Sequence, residues 1–231
     1  MALAAFLLSP AFLAAQQPIP APPPPPKPAS PPAAPRFVVL LDAAHGGDDS
    51  GGKFGSLLEK DLTLALSVRL RSLLAARGVS VITTRESDAT VPAERRAEIA
   101  NHAGAQACLS IHATQTGSGV HMFVSSLAQQ GPARIAAWKT AQSAWINRSL
   151  ALEGALNAAL LQSGINVTLG RAAMPSLDSM ICPVVAVEFA PASAQESSQP
   201  GTALDDPAYQ AQLAESLAAG LLAWQAEGRQ P

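Results

Sequence analysis

The chain has 231 residues, a formal net charge of -2, 48% hydrophobic residues and only 14% charged ones. With no Lys/Arg cluster, that balance leaves no electrostatic footprint for nucleic acid or an anionic membrane. Once the first 35 residues, whose composition differs from the rest, are set aside, the remaining stretch of about 195 suits one domain with an ordinary core.

"MALAAFLLSPAFLAAQQ" opens with an apolar run of about 14 residues, too short to span a bilayer and suited to the core of a signal peptide. Residues 1–15 are therefore expected to direct export. No Lys or Arg precedes the run, and Leu13-Ala14-Ala15 only approximates a small-x-small cleavage site. Residues 16–35 read as a Pro-rich linker. From Pro18 to Pro35 the chain carries eleven prolines, which favour an extended polyproline II spacer reaching about 55 Å. Such a tether suits an exported enzyme that works in a matrix, and no segment reads as a spanning helix.

The catalytic domain is expected over 36–227. "RFVVLLD" (36–42) reads as a buried strand, a short apolar run ended by Asp and glycines. Leu62, Leu66, Leu70, Leu73 and Leu74 recur at helical spacing, so a helix is expected over 61–77 with Gly78 as its stop. "VSVITT" (79–84) is the next strand. A short amphipathic helix follows over 92–103, with Pro92 in its first turn and Ala97, Ile99, Ala100 and Ala103 facing inward. Strands are expected at 107–111 and 119–126, alanine-rich helical segments at about 133–146 and 150–163, and a strand at 183–189. Asp206 and Pro207 mark the start of the last helix. Strands alternating with helices predict an α/β fold, a mostly parallel sheet flanked by helices. Cys108 and Cys182 are the only cysteines; buried free thiols are the favoured reading, and an oxidising compartment permits a single bridge.

In a parallel sheet, ligands bind beyond the carboxyl ends of the strands. His45 comes three residues after the first strand, His112 directly follows "LSI", and Glu188 lies near the end of "PVVAVEF". Glu59 opens the first helix and can be returned to the same edge by the glycine-rich loop. Two imidazoles and a carboxylate form the ligand set of a catalytic zinc, with a position left for water. Glu188, interrupting an apolar strand, then serves as general base, since an ionised carboxylate there is costly unless a cation or polar partner offsets it. Singly, each residue has a plainer explanation: a hydrogen-bonded structural histidine, a first-turn helix carboxylate, a strand-end acid.

"DAAHGGDD", "LLEKDLTLAL", "TRESDATVPAERRAEIAN", "LSIHAT" and "VVAVEF" occur in the order and spacing of the zinc-dependent N-acetylmuramoyl-L-alanine amidases, which cut peptidoglycan during bacterial cell separation. The chain resembles that family from about residue 36 to 225. The resemblance implies His45, Glu59 and His112 as Zn2+ ligands, Glu188 as the catalytic carboxylate, peptidoglycan as substrate, an activator protein as a candidate partner, and a periplasmic or cell-envelope location. It also implies hydrolysis of the amide between N-acetylmuramic acid and L-alanine. Ala43-Ala44 replaces the family's Pro-Gly, Thr114 replaces an Asn, and "FAPASA" replaces the usual continuation after the glutamate. The alternative is a noncatalytic murein-binding or regulatory module with the same fold, and a further one is a zinc peptidase acting on another amide.

Asp42, Asp48 and Asp49 are candidates to orient a ligand imidazole, with solvated loop acids the plainer reading for the last two. Arg85 and Arg95 match the family's "TR" and "ER" stretches and are expected in surface or structural ion pairs. His121 lies on a strand near the proposed edge and is expected as a satisfied core histidine, the alternative being an approach to the substrate; His102 is expected at the surface. Trp138 and Trp145 are expected to pack a helix on the sheet, the alternative being a cover or groove wall over the zinc.

Overall fold

The computed structural model describes residues 37–129, 138–192 and 203–228. The expected leader and linker lie outside the described residues, as do residues 133–137 of the helical segment expected at about 133–146. Among the described residues no helix is long and apolar enough to cross a membrane.

A six-stranded sheet forms the centre. Its members are β1 (Val38–Ala43), β4 (Ser80–Thr83), β5 (Ala107–Ala113), β6 (Val120–Ser125), β7 (Val167–Ala172) and β8 (Val184–Phe189), in the order β4-β1-β5-β8-β6-β7. The first four in that order run parallel, β6 pairs antiparallel with β8, and β7 runs parallel to β6. The mostly parallel sheet expected from sequence is thus present. A small antiparallel hairpin, β2 (Lys53–Phe54) and β3 (Leu57–Leu58), precedes the first helix.

Helices cover both faces, which is why β1, β5 and β8 read as continuous apolar runs. On one face α1 (Glu59–Ala76), α3 (Ile146–Gln162) and α5 (Pro207–Glu227) bury Leu66, Leu70, Leu156 and Leu217 against Leu41, Leu109 and Val187. On the other, α2 (Ala93–Ala103) and the one-turn α4 (Pro175–Asp178) pack Ala97, Ala100 and Leu177 over Leu40, Cys108 and Val184. β1 leads through α1 on one face to β4, and β4 leads through α2 on the other face to β5 on the far side of β1. The residues that follow β1 and β5 therefore meet at the carboxyl edge, the usual place for a ligand in such a sheet.

Local signals place the helix ends. Asp206 accepts the Tyr209 N–H at 2.8 Å at the start of α5, and Gly104, in the left-handed region at φ 58°, closes α2. Four expectations need correction. The expected helix over 133–146 is, from Trp138 to Ala144, a 3-10 segment. The expected break before 150 does not occur, because Ser149 stays inside α3, where its hydroxyl donates to Gln142 and accepts the Val184 N–H. Residues 167–172 form β7, an edge strand whose partial exposure erased the apolar pattern. Cys108 and Cys182 are not free thiols. They form a disulfide, both sulfurs buried, tying the start of β5 to the segment entering β8. Such bonds belong to oxidising compartments outside the cytosol.

Candidate metal centre

At the carboxyl edge of the sheet the chain must turn from β1 into the loop that carries His45 without the Pro-Gly of similar sequences. His45 makes the turn itself. It is the only described non-glycine residue with positive φ, at 60°, a conformation that costs energy unless its surroundings hold it. Two buried guanidinium groups do so. Arg85 donates to the carbonyls of Ala43 (2.9 Å), Ala44 (3.0 Å) and Lys60 (2.7 Å). Arg96 donates to the carbonyls of Ala43 and His45, both at 2.7 Å, and forms a buried ion pair with Asp42 at 2.6 Å.

Past His45, Gly46 and Asp49 exchange backbone hydrogen bonds, and Asp88 accepts the Gly47 N–H at 2.6 Å while pairing with Lys60 at 2.7 Å. The β2–β3 hairpin then reverses the chain, so the Glu59 N–H donates to Gly52 at 2.9 Å and α1 begins beside the histidine. Gly51, at φ 62°, sits between the two functional side chains. A Cβ there would lie 2.6 Å from His45 Cδ2 and 2.7 Å from Glu59 Oε2, so no larger residue lets them approach.

Glu59 is buried and stands between the imidazoles: His45 Nε2 lies 3.1 Å from Oε2, and His112 Nδ1 lies 3.0 Å from Oε1. The N–H groups of Gly52 and Ala113 also reach its oxygens, at 2.8 and 3.2 Å. Burial opposes ionisation of Glu59, but the hydrogen bonds from His112, His45 and Gly52 outweigh it and hold the carboxyl well below the usual carboxylate range. His45 shifts upward, mainly through its hydrogen bond with Glu59, against its partial burial and with help from Asp49. Asp49 accepts from His45 Nδ1 at 2.8 Å, is itself held by the Gly51 N–H, and is lowered by those two bonds in that order.

One donor atom from each of His45, Glu59 and His112 lies within 4.8 Å of the other two. An ionised carboxylate, two imidazoles turned toward it, and a carboxylate steadying the outer nitrogen of one imidazole make a donor set that fits zinc. Glu188 stands next to it. It is the register partner of His112 on β8, so both side chains leave the same face of neighbouring strands, spaced about 4.8 Å apart. His121, across on β6, is the register partner of Glu188 on the other side, and its Nδ1 lies 3.2 Å from Glu188 Oε2.

The structure therefore brings together all four chemical positions singled out from sequence and reassigns several neighbours. Asp42 does not touch an imidazole: it accepts from Thr84, Ser110 and Arg96 inside the sheet. Of the three candidates it is Asp49, for which a solvated loop acid is the plainer reading from sequence, that contacts His45. Of the two arginines expected in surface or structural ion pairs, Arg85 is instead a buried brace on backbone carbonyls, whereas Arg95 pairs at the surface with Glu98. His121 faces a carboxylate instead of the core. Trp145 lines a cavity with Gly104, Gln106 and Pro183, near the starts of β5 and β8 and so at the edge opposite the site, which removes it as a cover. Arg96 was missed altogether; its position four residues before buried Ala100, on the inward stripe of α2, was the available signal.

The family described as N-acetylmuramoyl-L-alanine amidase matches residues 39–223. The germination-specific N-acetylmuramoyl-L-alanine amidase of Bacillus subtilis (strain 168) is 36% identical over 104 residues, 37% of this chain and 44% of that protein. The amidase AmiA of Escherichia coli (strain K12) is 44% identical over 78 residues, 33% of this chain and 27% of that protein. The chain's match thus spans less than half the length of either relative. Among solved structures, the amidase AmiC2 of Nostoc punctiforme superposes with a TM-score of 0.62 at 26% identity, covering 82% of this chain and 97% of that one. An amidase from Clostridium difficile 630 shares the fold with a TM-score of 0.64 at 22% identity, over 83% of this chain and 97% of that one. The chain belongs to the N-acetylmuramoyl-L-alanine amidase family.

Proposed function

We propose that this chain hydrolyses the amide between the lactyl group of N-acetylmuramic acid and the L-alanine of the peptidoglycan stem peptide. His45, Glu59 and His112 hold the zinc, and Glu188 is the general base. The observation that carries this reading is the convergence of the three donor atoms within 4.8 Å beside a carboxylate on the neighbouring strand. Zinc in such a site supplies a Lewis acid that polarises a carbonyl and lowers the pKa of water toward about 7.

The protein's own groups do the rest. Glu188, one-third exposed, can meet a water at the mouth of the site and take its proton as the oxygen adds to the carbonyl carbon. As the C–N bond breaks, that proton passes to the departing amine, giving a lactyl carboxylate and a free N-terminal alanine. A positioned base of this kind contributes roughly a hundredfold or more. Asp49 keeps His45 turned toward the centre, and Arg85 and Arg96 hold the turn that presents it.

The buried disulfide and a cell-wall substrate both support a place outside the cytoplasmic membrane, in the periplasm or cell envelope. Residues 1–15 as leader and 16–35 as tether suit that place. Digestion of peptidoglycan with and without a chelator, followed by mass spectrometry of the products, tests the reading. Chelator-sensitive release of intact stem peptides with N-terminal alanine is expected. Cleavage elsewhere in the stem would make the chain a peptidase of another specificity, and no release at all would make it a binding module.

A further inference from the structure

β6 runs against its neighbour β8, so its beginning, not its end, lies at the edge where β8 finishes. His121, second residue of β6, is thereby delivered opposite Glu188, and the row His112, Glu188, His121 crosses three adjacent strands on one face. An ionised carboxylate only accepts, so the Nδ1 at 3.2 Å from Glu188 Oε2 is the donor. No other described hydrogen bond reaches the Glu188 carboxylate. The far side of the ring lies close to Gly117, φ 76°, where a Cβ would come 2.7 Å from His121 Nε2 and 2.8 Å from Cε1. Below the pair, Gly119 exchanges hydrogen bonds with Ala190 and Pro191, and the Tyr209 hydroxyl donates to Ala190 at 2.7 Å. The segment that departs from the family pattern after Glu188 thus clamps the start of β6 to the end of β8.

From this geometry we infer that His121 is a positioning residue for the reaction: its Nδ1–H holds one oxygen of Glu188 and leaves the other free to take the water proton. The inference rests on the reading of Glu188 as general base. A glutamate side chain has several rotamers to lose when it must be aimed, and a single hydrogen bond from a ring set on the neighbouring strand selects one of them while the carboxylate stays open to water.

The test uses the zinc-loaded full chain and the variants His121→Leu, His121→Asn and Glu188→Ala, with zinc content, KM and kcat measured on soluble muropeptides. In His121→Leu, zinc and KM are expected to stay near their original values while kcat falls about tenfold. His121→Asn, whose amide N–H can stand where Nδ1–H stood, is expected to restore most of it. Added to Glu188→Ala, His121→Leu should cost nothing further, since the group it positions is gone. Imidazole 1H–15N spectra should show His121 as the Nδ1–H tautomer. An unchanged kcat in His121→Leu, a loss that Asn leaves uncorrected, an equal loss on Glu188→Ala, or the Nε2–H tautomer would each overturn the inference. Should His121→Leu lose its zinc or its melting transition, His121→Asn against His121→Gln decides: Gln reaches the Nε2 side of the ring, so full kcat in both variants overturns it. Full turnover in Glu188→Ala would remove the base itself, an outcome distinct from any failure confined to His121.

Discussion

On the His45 side of the site almost every polar atom is held. Two guanidiniums take the carbonyls of Ala43, Ala44 and His45, Asp49 takes the outer imidazole nitrogen, and backbone N–H groups reach Glu59. On the Glu188 side the same sheet edge supplies one hydrogen bond and leaves the carboxylate one-third exposed. The contrast follows from the two proposed tasks. A ligand set has to match a metal's geometry before the ion arrives, and second-layer hydrogen bonds keep it there. A general base has to meet water, receive a proton and give it up again, which a fully enclosed carboxylate does poorly.

Substitutions can break this contrast from either side. Glu59→Ala, which removes the ligand between the two imidazoles, is expected to abolish both zinc retention and turnover; metal analysis after desalting checks it. Arg96→Ala leaves Asp42 buried without its cation and frees the carbonyl of His45. By the usual cost of breaking a buried pair, it should destabilise the fold by about 3–5 kcal/mol in denaturant unfolding. Asp49→Ala frees the outer nitrogen of His45 and should weaken zinc binding roughly 10- to 100-fold in a competition titration, with little change in melting temperature.

The smallest effect is electrostatic and belongs to the metal-free protein. Glu59 is lowered from 4.5, so its contribution is fully present above that pH and is lost in acid as it takes up its proton. His45 is raised from 6.5, so its contribution is fully present below that pH and fades as pH climbs through its elevated value. The melting temperature of the metal-free protein should therefore exceed that of Glu59→Gln most between pH 4.5 and 6.5. The difference should shrink on the alkaline side as His45 loses its proton.

The sheet, its helices and the gathering of His45, Glu59, His112 and Glu188 at one edge were legible in the sequence, the elements through local patterns and the four residues through their conjunction. Apolar runs mark strands buried on both faces, helical spacing marks α1 and α5, and a histidine directly after a strand of a parallel sheet has only one edge to occupy. What escaped depends on relations the pattern does not carry. His121 could be placed near the functional edge, but its pairing with Glu188 depends on the antiparallel register of β6 and β8. Arg95 and Arg96 are neighbours in sequence, and the phase of α2 alone decides which one is buried beside Asp42. The disulfide joins positions 74 residues apart, each in an apolar setting that suits a free thiol equally well. Strand β7, at the sheet edge and interrupted by Gly170, had no apolar alternation to betray it.

The most direct measurement is zinc content and peptidoglycan turnover on one sample of Glu188→Gln, a neutral isostere that cannot accept the water proton. If ligation and base catalysis are divided between the two sides as described, zinc stays at the level of the unsubstituted protein while turnover falls by about 10²–10⁴. Unchanged turnover with zinc in place, or loss of the zinc, would contradict that division.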